Sequence, residues 1–460
     1  MCAHTYVLGR SPPREQPVNQ PLPTHHRPKV AVIGSGIAGL GAAWTLAPHT
    51  DVTIFEANDW IGGHANTRTV AGERGTEQVD TGFIVHNRRT YPELIRMFEA
   101  LDVPTQPTRM SMAIHCSGCG LEYAGRQPWS IVRGALRRPR LIKLGFEIAR
   151  FQRAALRDLP TLDPTVTLRE YADAGGFSQH FSSHFLMPVT AAVWSAAPRA
   201  ALDMPAAAIL RFLDNHGMLS AGALEWRTVV GGSRVYVDKV VDDLVANGAT
   251  IHVGTGAHLV ERLEGGGAIV HSQRGAERFD HAVLATHADV SHALLDQPTE
   301  LELAALAPWT YTRNRAVLHT DERMLPTSKV VRAAWNYHLP DCSPAAGPPT
   351  ITYSMNRLQH LAATEEISVT LNRTTEIDPD HVHYAVDYAH PDFTVESMAA
   401  QELLPALAAA ADQTSTSFCG AYHGYGFHED GLRSGVQAAR RVLQLFDLQI
   451  AAAETPVAAP

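Results

Sequence analysis

An α/β fold is predicted by three features of the chain. An apolar strand runs through a glycine turn into a helix at residues 29–46, strand and helix alternate again after Trp226, and a second strand, glycine-rich loop and helix occupy 418–435. Between them lie a helix-rich and a β-rich stretch, which add an α+β part. The expected architecture is a Rossmann-like nucleotide-binding domain interleaved with a substrate domain. The first comprises 29–105, 225–299 and 411–450 and the second 106–224 and 300–410, with flexible ends at 1–28 and 451–460.

Val30 to Ile33 is a short β-branched run, Gly34, Gly36 and Gly39 follow as G-x-G-x-x-G, and Leu40 to Leu46 continues as a helix. Gly34 permits the turn, Gly36 lets the backbone approach a pyrophosphate, and Gly39 lets helix and strand pack closely. The helix start then points free N–H groups at phosphate. Val52 to Phe55 is a second strand, closed by Glu56, twenty residues past Gly36, where an acid accepts hydrogen bonds from an adenosine ribose. Val79 to Asn87 reads as a strand whose polar residues cluster around Gly82, and residues 90–101 as an amphipathic helix starting at Tyr91-Pro92.

Long helical patterns dominate 106–224, where Phe185 to Pro188 and Ala192 to Ser195 are candidate pocket walls. Gly231-Gly232-Ser233 precedes a helix from Val235 to Ala246. Strands are expected at 250–253, 257–262, 268–271 and 279–286, the last ending toward the ligand as parallel strands do. Strands at 315–319, 334–338, 350–353 and 367–371 suggest a second sheet flooring a substrate cavity. In the C-terminal motif Asp430 is the expected N-cap, with Gly431 and Leu432 offering N–H groups and Gly435, Ala438 and Ala439 a small packing face.

Hydrophobic residues make up 45% and charged residues 18% of the 460, ordinary values for a globular chain with a large core. A net charge of −9 argues against nucleic acid as a partner. No apolar run is long enough to span a membrane, and the N-terminus lacks a signal pattern, so a cytoplasmic location is expected. Cys116-Ser-Gly-Cys119 is the sole C-x-x-C among five cysteines; without a second pair at zinc spacing it reads as a plain loop, and no metal is expected. Residues 133–159 carry Arg133, Arg137, Arg138, Arg140, Lys143, Arg150, Arg153 and Arg157, with Leu141, Leu144, Ile148, Phe151 and Ala155 at helical spacing between them. Such a stripe between cationic flanks suits either a core helix or peripheral contact with the inner face of an anionic membrane.

Gly62-Gly63, six residues after Glu56, extends the N-terminal pattern so that it resembles the FAD-binding fingerprint of glutathione-reductase and amine-oxidase-type flavoproteins. The run from Val30 to Gly63, Val79 to Phe83 with Asn87-Arg88 and Thr90-Tyr91-Pro92, Val317 to Asp321, Ala334 to Tyr337, and Cys419 to Tyr422 with Gly424 to Gly431 are similar to bacterial NAD/FAD-binding, amine-oxidase-like proteins. They also look like the flavoprotein module that precedes plant cyclopropane-fatty-acid synthases. The resemblance spans residues 29–445 and implies bound FAD and an FAD-binding domain of the glutathione-reductase/amine-oxidase type. Cofactor contacts are expected from Gly34, Gly36, Ile37, Ala38, Gly39, Glu56, Ala57, Gly62, Gly63, His64, Gly82, Ala257, Ala285, Thr286, Gly420, Glu429, Asp430, Gly431 and Leu432. It further implies work on a fatty-acyl or other lipid chain by desaturation, saturation or isomerisation, beside a cyclopropane-fatty-acid-synthase-like methyltransferase as partner. Aromatic candidates for the pocket are Trp335, Tyr337, Tyr422, Tyr425 and Phe427; His86, Asn336, Tyr422 and His423 are the catalytic candidates, with His428 a further polar one. Amine oxidases carry an acid where this chain has Gly420-Ala421, so amine oxidation is the alternative function, and an FAD-stabilised partner protein of a lipid methyltransferase is another.

Overall fold

The computed structural model describes residues 27–72, 74–125, 139–219, 224–343 and 347–448. A five-stranded parallel sheet carries Thr250–His252, Asp51–Phe55, Lys29–Ile33, His281–Leu284 and Thr416–Phe418 in that spatial order. Val30, Ala31 and Val32 are fully buried because both faces of the sheet are covered: Val30 and Val32 pack with the helices, and Ala31, with Phe55 edge-on to Phe279, packs with strands on the other face. Strand order reverses between Lys29–Ile33 and its neighbours, which opens a ligand crevice at their C-terminal ends. Helix Ile37–Leu46 leaves the first strand, and helix His428–Leu445 follows the last.

The two helices pack glycine to backbone. A Cβ at Gly435 would collide with the Ala38 carbonyl, and one at Gly431 would lie 2.9 Å from Ile37 Cγ2. Their N-termini therefore meet at the same edge of the sheet.

A seven-stranded sheet forms the second domain, in the order Val382–Pro391, Tyr311–His319, Ser368–Leu371, Ile351–Ser354, Trp335–Leu339, Met112–Cys116 and Leu121–Ala124. All pairs are antiparallel except Trp335–Leu339 with Met112–Cys116. The region expected to be helical thus opens with three strands, Thr105–Thr108, Met112–Cys116 and Leu121–Ala124. They are too short for their periodicity to register in sequence.

Two expected strands are broken. Val79 to Asn87 divides into Gly75–Asp80 and Val85–Asn87, in separate sheets, because Gly82 lies against the His64 carbonyl and Phe83 N donates to it at 2.8 Å. The strand expected at 279–286 shrinks to His281–Leu284. Phe279 belongs instead to an antiparallel meander of Ala257–Arg262, Ala268–Ser272 and Gly275–Phe279.

Arg133, Arg137 and Arg138 lie outside the described residues. In helix Pro139–Asp158 the apolar stripe faces inward: Leu141, Leu144, Phe151 and Ala155 are buried, and Phe151 packs edge-on to Phe177 and tilted on Phe181. The stripe is thus that of a core helix, the first of the two expectations. A different flank, with Ile142 and Phe146, remains exposed.

Gly435→Ala should lower stability by about 1–3 kcal/mol, since the helix backbones must move apart to admit a methyl group. Gly145→Ala, in the long helix where a Cβ meets nothing within 4 Å, should instead add about 0.5–1 kcal/mol. Urea unfolding checks both; a neutral Gly435→Ala would overturn the close-crossing account.

Candidate functional site

The crevice is built first by glycines. Gly34 has φ +99°, and a Cβ there would lie 2.8 Å from the Ala285 carbonyl oxygen; one at Gly39 would collide with the Gly34 carbonyl. These two glycines are required by the chain itself. Gly36 is different: its φ is −65° and a Cβ would meet nothing within 4 Å, so neither strain nor packing demands glycine. A methyl group there would fill the cradle in front of the helix start, where a pyrophosphate approaches N–H groups and the positive end of the dipole. Gly63, φ +58°, brings a second loop so close that its Cβ would be 3.1 Å from Gly36 Cα. Ile37 and Ala38 form the first helical turn beneath.

Glu56 ends its strand with a buried carboxylate. One oxygen accepts from Ser35 N at 2.8 Å and Ser35 Oγ at 2.5 Å, the other from Asn58 N and Nδ2 at 2.8 Å each. The acid is pinned at the crevice, where it would accept a ribose hydroxyl only in place of a side-chain donor. Ala57 touches the loop at Gly256, beside Ala257, where the meander begins. Ala285 and Thr286 follow the His281–Leu284 strand, and Gly420 lies against the Thr286 carbonyl.

The C-terminal motif departs from expectation in two ways. Phe427 is the N-cap of helix His428–Leu445, and Asp430, three residues in, reaches back to accept from Phe427 N at 3.1 Å and Tyr425 N at 2.9 Å while pairing with Arg433. Glu429 accepts from the backbone N–H groups of Glu93 and Leu94, at 2.9 and 3.0 Å, and so caps helix Pro92–Ala100. Burial pushes its carboxyl up to about 7 despite those donors. Both side chains are committed to the protein; Gly431 and Leu432 remain at the first helical turn, packed against Ile37 and the Gly41 face.

The four catalytic candidates are not brought together. Asn336 is fully buried, with its amide oxygen accepting from Ala333 N and its nitrogen donating to the Ala333 and Thr352 carbonyls, so it braces a turn. Tyr422 lies in the core beneath Gly420, 5.6 Å from the Trp309 ring, and Tyr337 is buried with its hydroxyl on Met187 Sδ. Close packing leaves neither ring a free face. His423 adjoins Tyr422, and burial followed by Arg441 and Arg433 lowers it to about 3. His86 is buried edge-on to Phe98, and burial followed by Arg227 and Arg88 lowers it to about 4.

What does converge is a set of imidazoles. His64, His287, His390 and His428 come from four segments at the meeting of the two domains, close enough that His390, His287 and His428 all add to the burial that holds His64 well below its ordinary range. His390 is lowered to about 4 by burial and then His287, and His428 to about 3 by burial and then His86. All stay neutral at neutral pH. His64 stacks on Tyr388 at 4.6 Å, His428 on Phe83 at 3.8 Å and His287 on Tyr311 at 4.3 Å. The Tyr388 hydroxyl bonds Thr81 Oγ1 and Asn66 Nδ2.

Along the same strand, Tyr384 takes a hydrogen bond from Arg68, whose guanidinium carbon lies 4.0 Å from the Tyr384 ring centroid and 5.6 Å from that of Trp60. Arg68 has no carboxylate partner among the described residues, and its Nε is buried without a hydrogen bond. These residues went unnoticed in sequence, although Tyr384, Val386, Tyr388 and His390 recur every second residue, the signal of one strand face. A further aromatic wall comes from the C-terminal loop: Phe427 stacks on Phe212 at 4.8 Å, and Trp194 Nε1 donates to the Tyr425 carbonyl.

Residues 37–443 match the family described as flavin containing amine oxidoreductase. The fold is similar to that of cyclohexylamine oxidase from Brevibacterium oxydans IH-35A, with a TM-score of 0.64, 13% identity, and coverage of 92% of this chain and 100% of that one. It is also similar to a putrescine oxidase at TM-score 0.65 and 12% identity, covering 91% and 99%, and to the CLA-producing fatty acid isomerase from P. acnes at 0.62 and 14%, covering 90% and 98%. A curated relative, tryptophan 2-monooxygenase of Allorhizobium ampelinum, is 53% identical over 49 residues, which are 10% of this chain and 7% of that protein. The glycine cradle fits FAD, and Gly36→Val should abolish its retention, read as loss of the flavin spectrum after gel filtration, with helix content unchanged; full occupancy in the variant would move the pyrophosphate elsewhere. The chain belongs to the flavin-containing amine oxidoreductases and is an FAD-dependent oxidoreductase.

Proposed function

We propose that the protein acts on a fatty-acyl or other lipid chain bearing a carboxylate, by desaturation, saturation or isomerisation. The observation that carries this reading is Arg68: a cation without an acidic partner, held between Trp60 and Tyr384 beside a lining of neutral imidazoles and aromatic rings. A carboxylate head would pair with Arg68 while its apolar tail lies along the rings. An ammonium substrate would meet repulsion there, and the nearby acids Asp80, Glu429 and Asp430 are bound to protein donors. Bound FAD supplies two-electron chemistry. This chain's part is to place a C–H or C=C of the tail against the flavin and to exclude water.

Amine oxidation is the second reading, favoured by the family and by relatives that are cyclohexylamine and putrescine oxidases. A methyltransferase of the cyclopropane-fatty-acid-synthase kind, acting on the same chains, is the corresponding partner. A purely supportive role for this protein beside such an enzyme predicts that flavin-site variants still form the complex and still allow product.

Long-chain fatty acids should perturb the flavin spectrum, and Arg68→Leu should weaken that binding roughly 10- to 100-fold, the scale of a charge-assisted hydrogen bond, with flavin content unchanged. The matching fatty alcohols should be indifferent to the substitution. Peroxide release with simple amines, and no spectral response to fatty acids, would favour the amine reading and overturn this one.

Helix Pro139–Asp158 supports peripheral contact with an anionic bilayer. Phe146 is 73% and Ile142 45% exposed, and with Lys143, Glu147 and Arg150 they line a shallow, mainly apolar hollow of about 430 Å³. No helix of the described residues is long and apolar enough to cross a membrane. Each basic residue near such a surface adds about 1 kcal/mol, so the protein should sediment with anionic and not with zwitterionic vesicles. Phe146→Ser with Lys143→Glu and Arg153→Glu should abolish this; equal binding to both vesicle types, or to neither, would overturn the contact.

A further inference from the structure

Far from the flavin crevice, at the edge of the seven-stranded sheet, the fold gathers three cysteines and a histidine. The sulfurs of Cys116, Cys119 and Cys342 and one ring nitrogen of His184 all lie within 4.8 Å of one another. We propose that these four residues bind one structural zinc ion, which ties the helical part of the substrate domain to its sheet.

The distances suit a single tetrahedral ion. Bond lengths of about 2.3 Å to sulfur and 2.05 Å to nitrogen require neighbouring sulfurs to be about 3.8 Å apart and sulfur and nitrogen about 3.6 Å apart. Cys116 and Cys342 are 3.9 Å apart, and Cys119 Sγ is 3.6 Å from His184 Nε2. A disulfide would need about 2.05 Å. Four protein ligands leave no open position, which is the mark of a structural rather than a catalytic zinc.

The surroundings hold each ligand in place. Cys116 ends one strand, and the turn at Gly120, φ +66°, carries the chain past Cys119 into the next, with Gly120 N donating to the Cys116 carbonyl at 2.9 Å. A Cβ on Gly118 would lie 2.8 Å from Asp341 Cα, so a side chain there would push Cys342 away. His184 sits in a π-helical turn, Ser182–Leu186, a widened geometry that recurs at functional sites. Its Nδ1 lies 3.2 Å from the His180 carbonyl, which places the proton on Nδ1 and leaves the Nε2 lone pair toward the sulfurs, as metal-bound imidazoles are usually oriented. Tyr123 Oη, from the hairpin, donates to the His184 carbonyl at 2.6 Å. The Tyr123 contact, like the proposed ion itself, joins the sheet edge to the helical part.

The sequence concealed this set because only Cys116 and Cys119 are neighbours. His184 lies 65 residues beyond Cys119, and Cys342 lies 226 beyond Cys116.

Metal analysis of the flavin-loaded protein, purified without chelators from zinc-supplied cells, should find about one zinc per chain that survives dialysis. Cys119→Ser and His184→Ala should each lose most of it, whereas His180→Ala, which removes the other nearby imidazole but keeps the carbonyl, should retain it. Flavin content and circular dichroism identify variants that remain folded. Should the ligand variants not fold, wild-type protein grown with cobalt should show tetrahedral d–d bands at wavelengths longer than flavin absorption. Less than a tenth of an equivalent of metal with no such cobalt bands, a disulfide between any two of the three cysteines, iron in place of zinc, or full zinc in both ligand variants would each overturn the assignment.

Discussion

The close crossing of helices Ile37–Leu46 and His428–Leu445 is the constraint on which the functional geometry depends. Gly431 and Gly435 let the later helix lie directly on Ile37 and the Ala38 carbonyl, so two helix starts, one from each end of the chain, open on the same crevice. Each start carries unpaired N–H groups and the positive end of a dipole. One would serve the pyrophosphate of bound FAD, and the other the flavin ring. A single methyl group at the crossing would separate the helices and with them the two ends of the cofactor site.

The junction of the two domains solves a different problem, that of a polar lining in a low-dielectric space. Imidazoles from four segments converge there, and burial keeps them neutral, so the junction carries hydrogen-bonding groups without accumulating charge. The carboxylates around it are tied to backbone donors: Asp80 to Ser233, Glu429 to Glu93 and Leu94, Asp430 to Tyr425 and Phe427. Arg68, held by Tyr384 and Trp60, is left without a carboxylate partner among the described residues, and on this the proposal of an acyl rather than an amine substrate rests. Trp194 and Phe212, from two helices of the substrate domain, pack against Phe427 of the aromatic C-terminal loop.

The glycine fingerprint, Glu56 and the C-terminal motif were legible because each is local: a turn, a strand end or a helix start needs particular residues at fixed offsets, and those offsets are written in the chain. The same locality misled for Asp430, which reads as an N-cap by type yet acts from the third helical position, and for Asn336, whose amide looks available until the turn at Ala333 closes around it.

Sequence alone determined the α/β class, the nucleotide crevice and the strands of most of the second sheet, since hydrophobic period and glycine placement act over a few residues. Only the tertiary structure decided which polar residues meet. Met112–Cys116 pairs with Trp335–Leu339 across more than two hundred residues, His64 stacks on Tyr388, and Cys116 faces Cys342. Such contacts are selected by the packing of whole sheets and helices, in which burial drives the elements together and the side chains that must share the interior find their partners there.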